Sequence, residues 1–272
     1  MTANPLAAHP THCPPSLPSA WPAGVEPTSE FLAAHEFLRE GAGHLFVTGR
    51  AGTGKSTLLR CLRDLVADIR EQGRKALAIQ ADVGKPEDIT RLFKTVDAEF
   101  GALDAFFNNA GILGPASKFV DIAPDRLQHV IAVNTIGAFI AAQEAVRRMS
   151  TRLGGKGGVI VNMSSLAAKL GGTNEATDYA ASKGAIDTLT IGLAKEVATE
   201  GIRIHAVRPG LIYTDIHAST GDPNRVDRLK GLVPMQRGGR PEEVAEAVLW
   251  LCSDQSTYCT GQLLDISGGR GL

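Results

Sequence analysis

The chain has 272 residues, with 28 basic and 29 acidic side chains, long enough to bury a full α/β core and too evenly charged to carry the electrostatic footprint of a nucleic-acid or anionic-membrane binder. A small-molecule partner is expected, with no nucleic acid and no membrane. Four cysteines, Cys13, Cys61, Cys252 and Cys259, stand without CxxC or Cys/His ligand spacing, which argues against a structural zinc site, leaves no metal expected, and points to a reducing, cytoplasmic address. No apolar run is expected to reach the roughly 20 residues of a bilayer span, and the amino terminus has neither the basic start nor the apolar core of a signal peptide.

Residues 1–27 hold seven of the 14 prolines and too little apolar surface to offset their ordering entropy, so a disordered leader is expected ahead of a single domain over 28–272. Phe31, Leu32, His35 and Leu38 share a helical face that Gly41 and Gly43 close. The apolar run HLFVT (44–48) reads as a strand. It leads into GRAGTGKST and then into Leu58, Leu59, Leu62, Leu65, Val66 and Ile69 at helical spacing. This helix is expected to run from Lys55 to Gln72, about 27 Å at 1.5 Å per residue, until Gly73 ends it before a strand at KALAIQADV. Pro86 opens a helix with Ile89, Leu92, Phe93, Val96 and Phe100 on one face, and LDAFF forms a strand ending in Asn108, Asn109, Ala110 and Gly111. A long helix over 124–150, the strand VIVNM, a helix over 178–199, the strand IRIHAV, a helix from Pro241 to Cys252 and a last strand QLLDI follow. Such alternation predicts a mostly parallel sheet covered on both faces, a doubly wound, Rossmann-like α/β fold.

Tyr179 and Lys183 (YAASK) lie four apart on the 178–199 helix, so both side chains leave one face about a turn apart. A free tyrosine ionises near pH 10. Making it a base near neutrality takes about 4 kcal/mol of preferential stabilisation of the phenolate, which a neighbouring ammonium and a cofactor positive charge can supply. Asn109, Ala110 and Gly111 stand at a strand's carboxyl end, where open α/β sheets bind ligands, and a glycine there lets a dinucleotide approach the backbone.

Taken with NNAG, VNTIG and RPGLIYTD, the segment VIVNMSSLAAKLGGTNEATDYAASKGAI resembles the short-chain dehydrogenase/reductase family over about residues 66–269. The likeness is to its branch of glucose-dehydrogenase-like and sugar, steroid or fatty-acyl reductases. The resemblance implies hydride transfer between NAD or NADP and a carbonyl or secondary alcohol. By it, Tyr179 is the general acid/base, while Lys183 lowers the Tyr179 pKa and hydrogen-bonds the nicotinamide ribose. Ser165 would hold the substrate oxygen, with Ser164 the alternative because the spacing to Tyr179 is one residue longer than in many relatives. Asn134 would anchor a water that connects the lysine to solvent, or would be a buried polar side chain satisfied by backbone groups. Asp82 and Val83 resemble the adenine-contacting pair, and Pro209, Gly210, Ile212 and Thr214 the nicotinamide-carboxamide clamp. The polar segment 214–233 resembles a mobile lid. Family relatives pair through the helices flanking the catalytic strand, which implies a homodimer or homotetramer.

The first strand departs from that pattern. Where the family carries TGxxxGxG, Thr53 and Lys55 fill the second and third glycine positions. The loop Gly49, Arg50, Ala51, Gly52, Thr53, Gly54, Lys55, Ser56 instead fits GxxxxGK[ST], the P-loop, whose backbone N–H groups and lysine hold phosphates and whose serine holds Mg²⁺. The stretch EFLREGAGHLFVTGRAGTGKSTLLR resembles the start of a P-loop ATPase of the helicase-like kind. Only 33 steps separate Gly49 from Asp82, so the first βαβ unit is expected to be shortened and to lack the usual second strand. That strand's end reads the adenosine ribose, which leaves NAD against NADP open, with Arg50 a candidate 2′-phosphate contact. An ATP- or GTP-binding protein on a reductase-derived scaffold, with Mg²⁺ through the P-loop, is the alternative function, and a catalytically inactive hybrid is a third.

Overall fold

The computed structural model describes residues 66–67, 69–71 and 73–272. The expected leader, the 44–48 strand, the glycine-rich loop with Gly49, Arg50, Gly54, Lys55 and Ser56, and most of the 55–72 helix lie outside them. The end of that helix is described: Gly73 turns to φ 74° and donates to the Arg70 carbonyl at 2.9 Å, a left-handed stop that glycine adopts without strain. The segment KALAIQADV, expected as a strand, carries no strand assignment. Its apolar residues do pack, with Ile79 and Ala81 against the core. A strand needs a laddered neighbour, and none of the described strands pairs with it.

Helix α1 (Pro86–Phe100) starts with proline in its first turn and with Glu87 and Asp88 beside the positive end of the helix dipole, and it stops at Gly101 with φ 74°. Ile89, Leu92, Phe93 and Val96 form its buried face, and Phe93 meets Phe106 of strand β1 (Ala105–Asn108) edge-on at 5.5 Å. A long helical run follows, made of α2 (Pro124–Ile131), a π-helical turn over Ala132–Gly137 and α3 (Ala138–Met149). Contrary to the expectation that no segment reaches bilayer length, this 26-residue run is long and apolar enough to do so by composition. Its inward-facing residues instead enter the core, Ala141, Ala145 and Met149 packing with Ile160 and Ile204.

Strand β2 (Gly158–Met163), the short helix α4 (Ala167–Leu170), helix α5 (Thr177–Val197) and strand β3 (Ile202–Pro209) come next. After them stand α6 (Arg225–Leu229), α7 (Pro241–Cys252) and β4 (Leu263–Ile266). The four described strands form one parallel sheet in the order β1-β2-β3-β4, with Phe107 opposite Val161 and Val161 opposite His205. Alternate residues go to opposite faces. Ile160 and Ile204 meet α1, α3 and the end of α5 on one side, while Val159, Val161 and Val207 meet Val244, Val248 and Leu251 of α7 on the other. This is the covered parallel sheet that the sequence pattern calls for, and it sends the carboxyl ends of β1, β2 and β3 to one rim of the molecule.

Candidate active site

The rim is built by residues that continue the ladder. Past the end of β2, Ser164 donates its N–H to Val207 and Leu166 donates to Pro209, both at 2.9 Å, so the two serines sit at fixed heights above the sheet. They face different ways. The Ser164 hydroxyl, 2% exposed, donates to Asp187 Oδ1 at 2.6 Å. Ser165 Oγ instead accepts from the Ala167 N–H at 3.1 Å, which leaves its own O–H to the Tyr179 phenol, its hydrogen-bond partner across the rim. Only Ser165 therefore shares the site with Tyr179.

Tyr179 arrives on the first turn of α5. The neighbouring Asp178 holds that turn in place through a two-pronged ion pair with Arg126 of α2, at 2.7 and 3.0 Å. Burial pushes the phenol pKa above its usual value, opposed by the Ser165 hydrogen bond and by the charge of Arg225. Lys183 lies one turn on, 3% exposed, its Nζ 5.7 Å from the centre of the Tyr179 ring and donating to the Met163 carbonyl at 2.7 Å. Burial lowers its pKa to about 8, against the pull of Asp187. The groups that pull the phenol pKa down are thus Ser165 and Arg225, with Lys183 turned to the end of β2.

Asn134 lies in the π-helical turn and is 1% exposed. Its Oδ1 accepts from the Ile112 N–H and its Nδ2 donates to the Ile112 carbonyl, both at 2.8 Å, with a further bond to Ser182 Oγ at 3.1 Å. The side chain thus clamps the backbone just beyond Gly111. A Cβ on Gly111 would stand 3.2 Å from Lys183 Nζ and 3.4 Å from Asn134 Oδ1, so the glycine keeps an opening beside the lysine. Asn109 and Ala110 precede it, Ala110 in the core. On the far side Gly137 lets the backbone of Val83 approach, because a Cβ there would fall 2.2 Å from the Val83 carbonyl oxygen. Asp82 caps its own turn by accepting from the Gly84 N–H at 3.0 Å.

The segment after β3 closes the rim. Gly210 donates to the Ile266 carbonyl at 2.9 Å, and Ile212 bridges to Gly239. His217, 6% exposed, sets a ring nitrogen 2.8 Å from the Ile212 carbonyl. The Thr214 hydroxyl is buried and has no hydrogen-bond partner among the described residues. Residues 215–232 fold into a 3₁₀ turn (Asp215–Thr220), α6 and a second 3₁₀ turn (Lys230–Leu232). They dock by the Thr220 carbonyl on Ala116 N–H at 3.3 Å and by an ion pair between Arg225 and Glu175.

The chain matches, over residues 34–270, the family described as Enoyl-(Acyl carrier protein) reductase. It is 47% identical over 212 residues to the uncharacterized oxidoreductase YgfF of Escherichia coli, covering 78% of this chain and 86% of that one. The chain belongs to the short-chain dehydrogenase/reductase family. It is an oxidoreductase of that type. The 3beta-hydroxysteroid dehydrogenase 1 of Eggerthella lenta is 40% identical over 211 residues, 77% of this chain and 79% of its own. Among solved structures, a 3-ketoacyl-(acyl-carrier-protein) reductase from Brucella melitensis complexed with NADH superposes with a TM-score of 0.71 at 28% identity, over 78% of this chain and 84% of that one. A short chain dehydrogenase from Burkholderia cenocepacia in complex with NADP gives 0.72 at 29% identity, over 82% and 86%. The family match runs through the glycine-rich loop, and none of these comparisons supports a P-loop ATPase segment.

Several residues of this site escape sequence reading. Asp187 is one that helical spacing offers, since it follows Lys183 by four. Burial raises its pKa, opposed by Ser164 and Arg208. Beneath the site, Asn108 donates to Asn162 Oδ1 at 3.1 Å and Asn162 to Thr190 Oγ1 at 3.0 Å, a buried polar chain joining β1, β2 and α5.

Proposed function

We propose that this protein interconverts a carbonyl and a secondary alcohol using NAD or NADP, with Tyr179 as general acid/base. The observation that carries the proposal is the convergence of Tyr179, Ser165 and Lys183 at the carboxyl rim of the parallel sheet. Two features fit a nicotinamide nucleotide there. One is the gap that Gly111 keeps beside Lys183 Nζ, and the other is the orphaned Thr214 hydroxyl, which a carboxamide would satisfy. Lys183, Asn109, Ala110, Gly111, Pro209, Gly210, Ile212 and Thr214 would hold the nicotinamide half, and Asp82 and Val83 the adenine half. Bound there, the cofactor supplies or accepts the hydride.

The chain's own groups handle the proton. Ser165 donates to the substrate oxygen and fixes it beside the phenol. Burial raises the Tyr179 pKa and so favours its protonated form, and in the reducing direction Tyr179 delivers that proton to the carbonyl oxygen. In the oxidising direction it must accept one as the phenolate, the form that the Ser165 hydrogen bond and the charge of Arg225 favour. Asn134 holds residues 111–113 at the mouth by its clamp on Ile112.

Ile136, Phe139 and Ile191 expose apolar surface on the π turn, α3 and α5, which supports pairing of two copies through these helices. The free thiols of Cys252 and Cys259 agree with a reducing, cytoplasmic setting. Calorimetric titration of one sample with NADH, NADPH and Mg-ATP tests the reading. It expects saturable binding of at least one nicotinamide nucleotide. Binding of Mg-ATP alone would favour the P-loop function instead.

A further inference from the structure

We propose that Arg126 is a positioning residue for the general acid/base, its one guanidinium fixing the turn that carries Tyr179 against the loop on which the segment after β3 docks. This rests on the reading of Tyr179 above and adds what sets the place of the phenol. Tyr179 is the third residue of α5, and that helix begins with no side chain capping its first turn. Uncapped first turns fray, because their N–H groups lack partners within the helix. A phenol on such a turn needs a tie from outside it.

Arg126 of α2 supplies the tie. Its Nε and Nη2 donate to the two oxygens of Asp178 at 2.7 and 3.0 Å, a fork that fixes the carboxylate in angle as well as distance. The Asp178 side chain is 1% exposed and that of Arg126 17%, so water competes little for either. Nη1 is left over, and it donates to the Pro115 carbonyl at 2.5 Å. Two residues on, the Ser117 N–H donates back to the Glu175 carbonyl at 2.8 Å. Residues 115–117, residues 175–178 and the Arg126 guanidinium thus close a ring. The segment after β3 seats on that ring at two points, the Thr220 carbonyl on the Ala116 N–H at 3.3 Å and Arg225 on Glu175. The turn of the acid/base, the loop at the mouth and the docked segment therefore meet through one side chain.

An arginine that only joins two helices stands elsewhere for comparison. Arg148 of α3 forks onto Asp97 of α1 at 2.6 and 2.7 Å, with the same 17% exposure. Its neighbour Met149 lies against Gly158 at the start of β2, the end of the strand away from Tyr179.

The test is steady-state kinetics of the full chain with the nicotinamide nucleotide that binds best and the carbonyl compound the parent reduces fastest. Arg126→Lys keeps the charge that Asp178 needs and loses the fork. It should lower kcat by about tenfold or more, since a misplacement of about 1 Å can cost about 10²-fold, and leave the nucleotide KM near the parent value. In a Tyr179→Phe chain the same change should lower the residual rate by less than about twofold, because no phenol is left to place. Arg148→Lys should leave kcat at the parent value. If Arg126→Lys does not fold, Arg126→Gln combined with Asp178→Asn takes its place with the same expectations, since a neutral amide pair leaves no buried charge unmatched. The proposal is overturned by an unchanged kcat, by an equal fold-loss with and without the phenol, or by an equal loss in Arg148→Lys. A raised substrate KM at constant kcat also overturns it, by making Arg126 a substrate contact. A Tyr179→Phe chain that keeps the parent rate refutes the reading of Tyr179 and this proposal with it, whereas the other outcomes refute the positioning alone.

Discussion

Replacing Asn134 by leucine keeps the volume of a buried side chain and deletes three hydrogen bonds, two to the Ile112 backbone at 2.8 Å and one to Ser182 at 3.1 Å. The Ile112 N–H and carbonyl lose their partner together, and each such orphan costs about 1–3 kcal/mol, so about 2–6 kcal/mol is at risk. Ile112 is only half-buried and water can reach it in part, which places the expected loss at the lower end, about 2–4 kcal/mol. Urea unfolding read by circular dichroism measures this as a lower midpoint at unchanged slope. The neighbouring Thr135 supplies the control. Its hydroxyl is buried without a partner among the described residues, so Thr135→Val should be neutral or stabilising by up to about 1 kcal/mol. An Asn134→Leu chain within about 0.5 kcal/mol of the parent would refute the clamp, since that is the scatter of an inconsequential substitution.

Ser165→Ala should lower turnover by about 10²-fold with cofactor affinity unchanged, whereas Ser164→Ala, which loses its bond to Asp187, should cost about 1 kcal/mol of stability and little rate. Equal kinetic losses in steady-state assays of the two variants would contradict the assignment. His205 is fully buried, and burial followed by the charge of Arg203 depresses its pKa to about 4. The unfolded chain takes up this proton below about pH 6.5 while the folded chain resists until about 4. Stability is therefore lost as pH falls between those values, by up to about 3 kcal/mol. Proton NMR of the ring follows the titration, and a midpoint near 6.5 would show that the ring is not held neutral by the core.

The helices that bury one face were legible, because apolar spacing reports a face directly. Pro241–Cys252 has the bounds its spacing gives, and Pro86–Phe100 buries four of the five residues expected on its face. The β1 to β4 runs were legible for the matching reason, that a sheet covered on both sides requires unbroken apolar segments. KALAIQADV has the same look without the ladder. Apolar character marks a segment for burial, and only a neighbour makes it a strand. The π-helical turn was hidden, since AVNTIG reads as ordinary helix and only the contact of Gly137 with the Val83 backbone distinguishes it. Tyr179 and Lys183 were legible because their relation is local. The relation of Arg225 to Tyr179 was not, because it depends on how the segment after β3 crosses the rim, and no short-range pattern encodes that crossing. Sequence spacing also left the choice between Ser164 and Ser165 open. The hydrogen bond from Ser164 to Asp187 separates them.

Tyr179→Phe, assayed with the nicotinamide nucleotide that binds best and with whichever carbonyl compound the parent reduces fastest, tests the central claim most directly. Turnover should fall by about 10³-fold or more, as removal of a general acid requires, while nucleotide affinity and thermal melting stay at parent values. A Tyr179→Phe protein that turned over at the parent rate would contradict the account.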